Sequence, residues 1–113
     1  MFQYVPPELL PHLADLSPYI LVVLKKGPRY HDDNAIEIIQ SQHLPYVFKQ
    51  REEGLVILTF RVMDDTELAA IAIYDTPSQH EVKEWMEEDP AVKANIFVYE
   101  IVSGVGMKGD ALV

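Results

Sequence analysis

Four stretches of the chain are apolar at strand length, and between them hydrophobic positions recur at helical spacing. Residues 19–24 (YILVVL) are apolar on both faces and rich in β-branched side chains, as a central strand would be, and they end at the breaker Lys25-Lys26-Gly27-Pro28. A helical pattern over residues 35–53 follows, closed by Gly54 in the position of a left-handed C-terminal cap. Pro45 interrupts that pattern. Inside a helix it removes a backbone N–H and clashes with the preceding turn, at a cost of ~3 kcal/mol, so a kink or two helices meeting near residues 41–43 is expected. Two strand-like runs, 55–63 and 67–74, are joined by Asp64-Asp65-Thr66, a short hairpin connection. Thr76-Pro77-Ser78-Gln79 reads as an N-cap, a proline at the first helical position and a capping-box glutamine, opening a helix that runs to Glu88. A last strand is expected over 95–102.

The order β-α-β-β-α-β is that of a ferredoxin-like, split βαβ domain of the α+β class, with a four-stranded antiparallel sheet. The domain is expected over residues 19–103. Residues 1–18, where Pro6, Pro7, Pro11 and Pro18 bracket a short helical stretch at 8–16, form an N-terminal extension, and 104–113 a glycine-containing tail that frays. Such a sheet carries helices on one face only, yet the first three strands are apolar at nearly every position. The second face therefore needs a cover, and a partner sheet is the simplest one. This predicts a homodimer joined through the sheet faces, with the extension available to help.

Two polar residues break the helical rhythm. In the segment from Val82 to Asp89, Val82, Trp85 and Asp89 share one stripe, so a carboxylate sits where an apolar side chain belongs. Ile36, Ile39, His43, Val47 and Gln50 recur at similar spacing, which turns an imidazole inward as well. Buried polar groups need partners, and these two have complementary chemistry. Asp89 followed by Pro90 also reads as the N-cap and first position of a short helical turn, 90–94, a role compatible with the pairing because one oxygen can cap while the other meets the histidine.

Charge and composition narrow the functions. Eighteen acidic against nine basic residues give a formal net charge of −9, which repels phosphate backbones and anionic lipid, so neither nucleic acid nor membrane is an expected partner. Phe97, Tyr99 and Ile101 share one face of the last strand, an arrangement RNA-recognition sheets also use, but the basic, glycine-flanked pattern of those modules is missing. They read instead as dimer interface or pocket lining. The chain has no cysteine, no basic leader and no long apolar run, which makes the cytoplasm the expected compartment. No phosphate loop, nucleophile elbow or zinc spacing is present, and His31-Asp32-Asp33 reads as a solvated turn rather than a metal cluster. No cofactor and no metal are expected.

Two blocks of the sequence, HLPYVFKQREEGLVIL from His43 and WMEEDPAVKA from Trp85, resemble the YCII-related proteins, small α+β proteins that form dimeric barrels. The resemblance spans residues from about Tyr19 to Val102. It implies a His43–Asp89 pair in a cleft, and it places the chain beside muconolactone isomerases and a dehydrochlorinase of hydroxylated aromatic rings. The chain departs from the pattern at two points. A Gly-Pro pair that usually ends the second strand is replaced by a continuing run, Leu58-Thr-Phe-Arg61-Val, and the glycine commonly following Ala94 is Asn95.

An imidazole with an ordinary pKa near 6.5 can take and return a proton at neutral pH, and a carboxylate on its other nitrogen fixes its tautomer. The resulting expectation is a cofactor-independent enzyme of isomerase or lyase type, with catalytic residues His43 and Asp89, acting on a small organic molecule such as an aromatic or lactone. The alternative is a non-catalytic dimeric module that binds a small ligand or a protein, with the same pair serving as a buried structural hydrogen bond.

Overall fold

A computed structural model describes residues 6–112 of the chain. Residues 1–5 of the expected extension and residue 113 of the expected tail lie outside the described residues. A 3₁₀ helix, Pro7–Asp15, leads into strand β1, Leu16–Lys26. Helix α1, Ala35–Ile38, a single π turn, Ile39–His43, and helix α2, Leu44–Glu52, then follow as one helical path. Strands β2, Val56–Arg61, and β3, Leu68–Tyr74, precede helices α3, Gln79–Glu88, and α4, Pro90–Lys93, and strand β4, Phe97–Met107, ends the fold. The sheet order is β2-β3-β1-β4 with every neighbouring pair antiparallel, which is the ferredoxin-like α+β topology. No described helix is long and apolar enough to cross a membrane.

Strand alternation sorts the side chains. Ile20, Val22 and Leu24 face the helices and are buried, and with Val56, Tyr74, Val82 and Met86 at one end and Ala35, Ala91, Ile96 and Phe97 at the other they form the core. The paired positions on the opposite face are Leu21 with Ile73 and Val102, and Val23 with Ile71, joined by Leu58 and Phe60 of β2. This second face is uncovered in the single chain and apolar except where Glu100, opposite Val23, pairs with Lys25, with Phe60 56% exposed and Val102 46% exposed. Phe97 and Tyr99 lie on the other side, packed against the helices.

Sequence and structure differ in detail at three places. The break expected near Pro45 takes the form of two helices meeting at a π turn, in which the Leu44 N–H reaches back to the Ile39 carbonyl while the backbone stays helical throughout. Pro45 then falls in the first turn of α2, where a missing N–H costs little. The cap of α3 is Ser78, not Thr76: the Ser78 hydroxyl accepts the Glu81 N–H at 3.2 Å, whereas the Thr76 hydroxyl is occupied by the Ser78 N–H at 3.1 Å and itself donates to Glu81. A hydroxyl two residues before the cap thus forms a local turn that delays the helix. Finally, β4 continues to Met107 through Gly104 and Gly106, because Tyr19 of the opposing strand lies 3.3 Å from where a Gly106 Cβ would stand and covers the glycine-weakened edge.

The extra length of β1 and β4 makes the molecule long. They pair over their whole span, while β3 reaches β1 only from Ile20 onward, so 16–19 and 104–107 project as a two-stranded ribbon. The radius of gyration is 16.2 Å, against ~13 Å for a compact chain of this size.

Candidate functional site

The π turn decides where His43 points. One extra residue in the turn shifts the register of the helix face, and His43, the last residue of the π turn, is buried beneath it beside Phe97, whose ring meets the imidazole edge-on at 5.1 Å. The helix then ends in a Schellman motif: the Gly54 N–H bonds the Arg51 carbonyl at 3.1 Å, the Leu55 N–H bonds the Gln50 carbonyl at 2.9 Å, and Gly54 takes φ 76°.

Asp89 owes its inward direction to its place between two helices. It closes α3, holds an extended conformation (φ −65°, ψ 125°) and caps α4 through Oδ1, which accepts the Ala91 N–H at 2.9 Å. Only 1% of it is exposed. His43 Nδ1 stands 2.9 Å from Oδ1 and 2.7 Å from Oδ2, so the structure brings the two residues together. An ionised carboxylate only accepts, which assigns the proton to Nδ1 and leaves Nε2 of the neutral ring with a free lone pair. No described residue bonds Nε2. Among the described residues every side-chain polar atom shut off from solvent has a partner, so Nε2 opens outward.

His43 lines a cleft of about 730 Å³ between the α1–α2 path and the β2–β3 half of the sheet, a size suited to a small organic molecule. The cleft exists because the helix-facing positions of β3 are Ala70 and Ala72, too small to fill the layer, while β2 presents Thr59 and Arg61 there instead of large apolar groups. Val22, Leu24, Met86 and Phe97 complete an apolar interior. A second hollow of about 260 Å³, between β2 and residues 110–112, contains neither His43 nor Asp89.

Tyrosines frame the pair. The Tyr74 hydroxyl donates to Gln50 Oε1 at 3.2 Å, and burial, followed by the charge of Asp89, holds its phenol far above the ordinary range, so it stays a donor. Tyr46, which donates to the Trp85 carbonyl at 2.7 Å, is pushed up to about 12 by burial and by the nearby charges of Glu88, Asp89 and Glu53. Tyr30 also lines the cleft. Tyr30, Tyr74, Ala70 and Ala72 were not marked by sequence reasoning, although the alternation of small and large residues in LAAIAIY carried the signal for the last two.

His31, Asp32 and Asp33 are exposed, and Asp32 pairs with Arg29 at 2.7 Å. No group of three or more His, Cys, Asp or Glu side chains able to hold a metal occurs among the described residues.

The departure at Asn95 has a local cause. It adopts φ 60°, the left-handed conformation that glycine takes freely and that asparagine tolerates better than most residues, so the turn into β4 is kept.

Comparison with known proteins agrees with this architecture. A family model described as YCII-related domain matches residues 20–103. No curated protein matches the chain. Among solved structures, 5-chloro-2-hydroxyhydroquinone dehydrochlorinase from Burkholderia phenoliruptrix AC1100, in complex with 2,5-dihydroxybenzoquinone, is 20% identical, with 82% of this chain and 95% of that one covered at a TM-score of 0.54. An ethyl tert-butyl ether d (ethd) family protein from Bacillus halodurans C-125 is 19% identical over 76% of this chain and 97% of that one, with a TM-score of 0.45. A dimeric ferredoxin-like protein from an uncultured marine organism is 11% identical over 84% and 98%, with a TM-score of 0.43.

Proposed function

The chain belongs to the YCII-related domain family over residues 20–103, and from that premise we propose that it is a cofactor-independent enzyme that moves a proton on a small organic substrate. The observation that carries this reading is His43 at the cleft wall, its Nδ1 tied to Asp89 at 2.7 Å and its Nε2 bonded by no described residue. His43 accepts the proton from the substrate at Nε2 and returns it, and Asp89 fixes the ring and stabilises the imidazolium formed in between. Val22, Leu24, Met86 and Phe97 give the cleft an apolar interior for the substrate's body. Isomerisation and elimination are the reaction types this arrangement serves. The dehydrochlorinase that shares the fold is named for a chlorinated hydroxyhydroquinone, which fits an aromatic or lactone substrate for this cleft as well. The protein works as a homodimer, its apolar second sheet face buried against that of a second copy.

A panel of hydroxylated aromatics and unsaturated lactones incubated in D₂O tests the reading. Wild type is expected to incorporate deuterium into at least one compound, and His43→Gln to slow that exchange by ~10²–10⁴-fold with its fold intact. Equal exchange by the variant, or none above the uncatalysed rate with any compound, contradicts it.

A second reading rests on the Ala91 N–H bond to Asp89, which gives the carboxylate a structural task of its own. If the pair is only structural, His43→Gln lowers thermal stability and leaves ligand binding unchanged.

A further inference from the structure

Among the described residues only Lys25, Lys26 and Arg29 of the nine Lys and Arg side chains pair with an acid. Two of the unpaired ones line the cleft. Its three cationic residues are Lys26, Arg51 and Arg61, and its acids are Asp64, Asp65 and Asp89. Asp65 stands 3.8 Å from Lys26, and Asp89 is held by His43. No described acid pairs with either arginine. Among the described residues the one side-chain bond of Arg51 is a long one, 3.4 Å, to the neutral hydroxyl of Thr59. Asp64, the one acid left over, stands in the connection after β2.

Placement joins the two arginines. Thr59 and Arg61 alternate onto the helix-facing side of β2, opposite Ala72 and Ala70, and lie ~6.7 Å apart along the strand. Arg51 of α2 reaches across to Thr59, so both guanidinium groups serve the same wall of the cleft. Arg61 is also the charge that stands in the strand run replacing the Gly-Pro pair. A guanidinium stays charged at any physiological pH and offers two parallel N–H groups that match a carboxylate.

We propose that the cleft takes a small organic monoanion with an apolar body, its carboxylate held by Arg61 and Arg51 and its body lying over Ala70 and Ala72 toward His43. The proposal shares its cleft with the proton-transfer reading but does not depend on proton transfer. Arg61 has a plainer possible role, since β2 is the edge strand of the sheet and a charge pointing inward there discourages edge-to-edge aggregation.

Titration of the full chain with benzoate and with its neutral isostere benzamide, at low salt and followed by the NMR signals of His43, Ala70 and Ala72, separates these roles. Benzoate is expected to bind about tenfold more tightly than benzamide. Arg61→Gln, at an exposed position, is expected to remove most of that preference without changing benzamide binding, and Arg51→Gln to reduce it further. Equal affinities, a preference that survives both substitutions, or no shift of the cleft signals by either compound overturns the proposal. His43→Gln should keep the benzoate preference, so a failed exchange experiment leaves this inference standing, and the reverse holds too.

Discussion

A carboxylate as enclosed as Asp89 keeps its charge only through the groups that meet it, and it has two: the His43 Nδ1–H and the Ala91 N–H. Removing one partner of a buried pair leaves the other uncompensated. His43→Ala is accordingly expected to lower stability by ~3–5 kcal/mol, measured by urea unfolding at neutral pH; a loss below ~1 kcal/mol would mean the pair contributes little to the fold. Gly27 is critical for a different reason: a Cβ there would lie 2.5 Å from the Asn95 carbonyl oxygen, a backbone atom that cannot step aside. Gly27→Ala should therefore depress the melting temperature sharply, while Gly104→Ala, which meets nothing within 4 Å, should not. Sequence made His43 and Asp89 legible because a polar residue on an apolar stripe is a contradiction that needs a partner. It did not mark Gly27 as a close approach, since the turn that crowds it, at Asn95 and Ile96, lies nearly seventy residues away.

At the scale of elements, the strands and long helices were legible from period and punctuation, and the misreadings were local. Hydrophobic spacing marked the junction but not its π turn, because the stripe resumes after Pro45. The start of α3 was misplaced because Thr76 and Ser78 compete as caps, and only the geometry of Pro77 between them decides. Ser78→Ala should cost ~1 kcal/mol of stability and Thr76→Ala less, a ranking that thermal denaturation of the two variants would check. Tyr46 ties α2 to α3 through the Trp85 carbonyl. Its folded pKa, raised from 10.0 to about 12, means that between those values the unfolded chain loses a proton the folded chain retains. Stability contributed by Tyr46 is complete below pH 10 and lost as pH rises through about 12. Tyr46→Phe is expected to be weaker than wild type at pH 8 yet to show a shallower alkaline decline, read from urea midpoints across that range.

For the molecule as a whole, the sheet has one face inside and one face without a cover. The uncovered face carries the apolar rows Leu58–Ile73–Leu21–Val102 and Phe60–Ile71–Val23, the second of which ends at Glu100 on β4. Burying it against a second copy is the arrangement that the pattern of the strands calls for. Sedimentation of the wild type should report about twice the 12.9 kDa chain mass, and Val23→Glu, which places a charge on an inner strand of that face, should give single chains. The projecting ribbon of 16–19 and 104–107 was not legible in the sequence, because glycines in a tail read as fraying. What keeps them in register is Tyr19 on the facing strand, a long-range pairing that no local pattern displays.

Proton transfer at His43 requires a particular tautomer, with the proton on the Asp89 side and a lone pair on the cleft side, and the ¹⁵N spectrum of the imidazole reports this directly. In its neutral form the wild-type ring should show a protonated Nδ1 and an unprotonated Nε2, with the Nε2 signal moving when benzoate enters the cleft. A proton resident on Nε2 of the neutral ring would leave no base facing the substrate and would contradict the account at its centre.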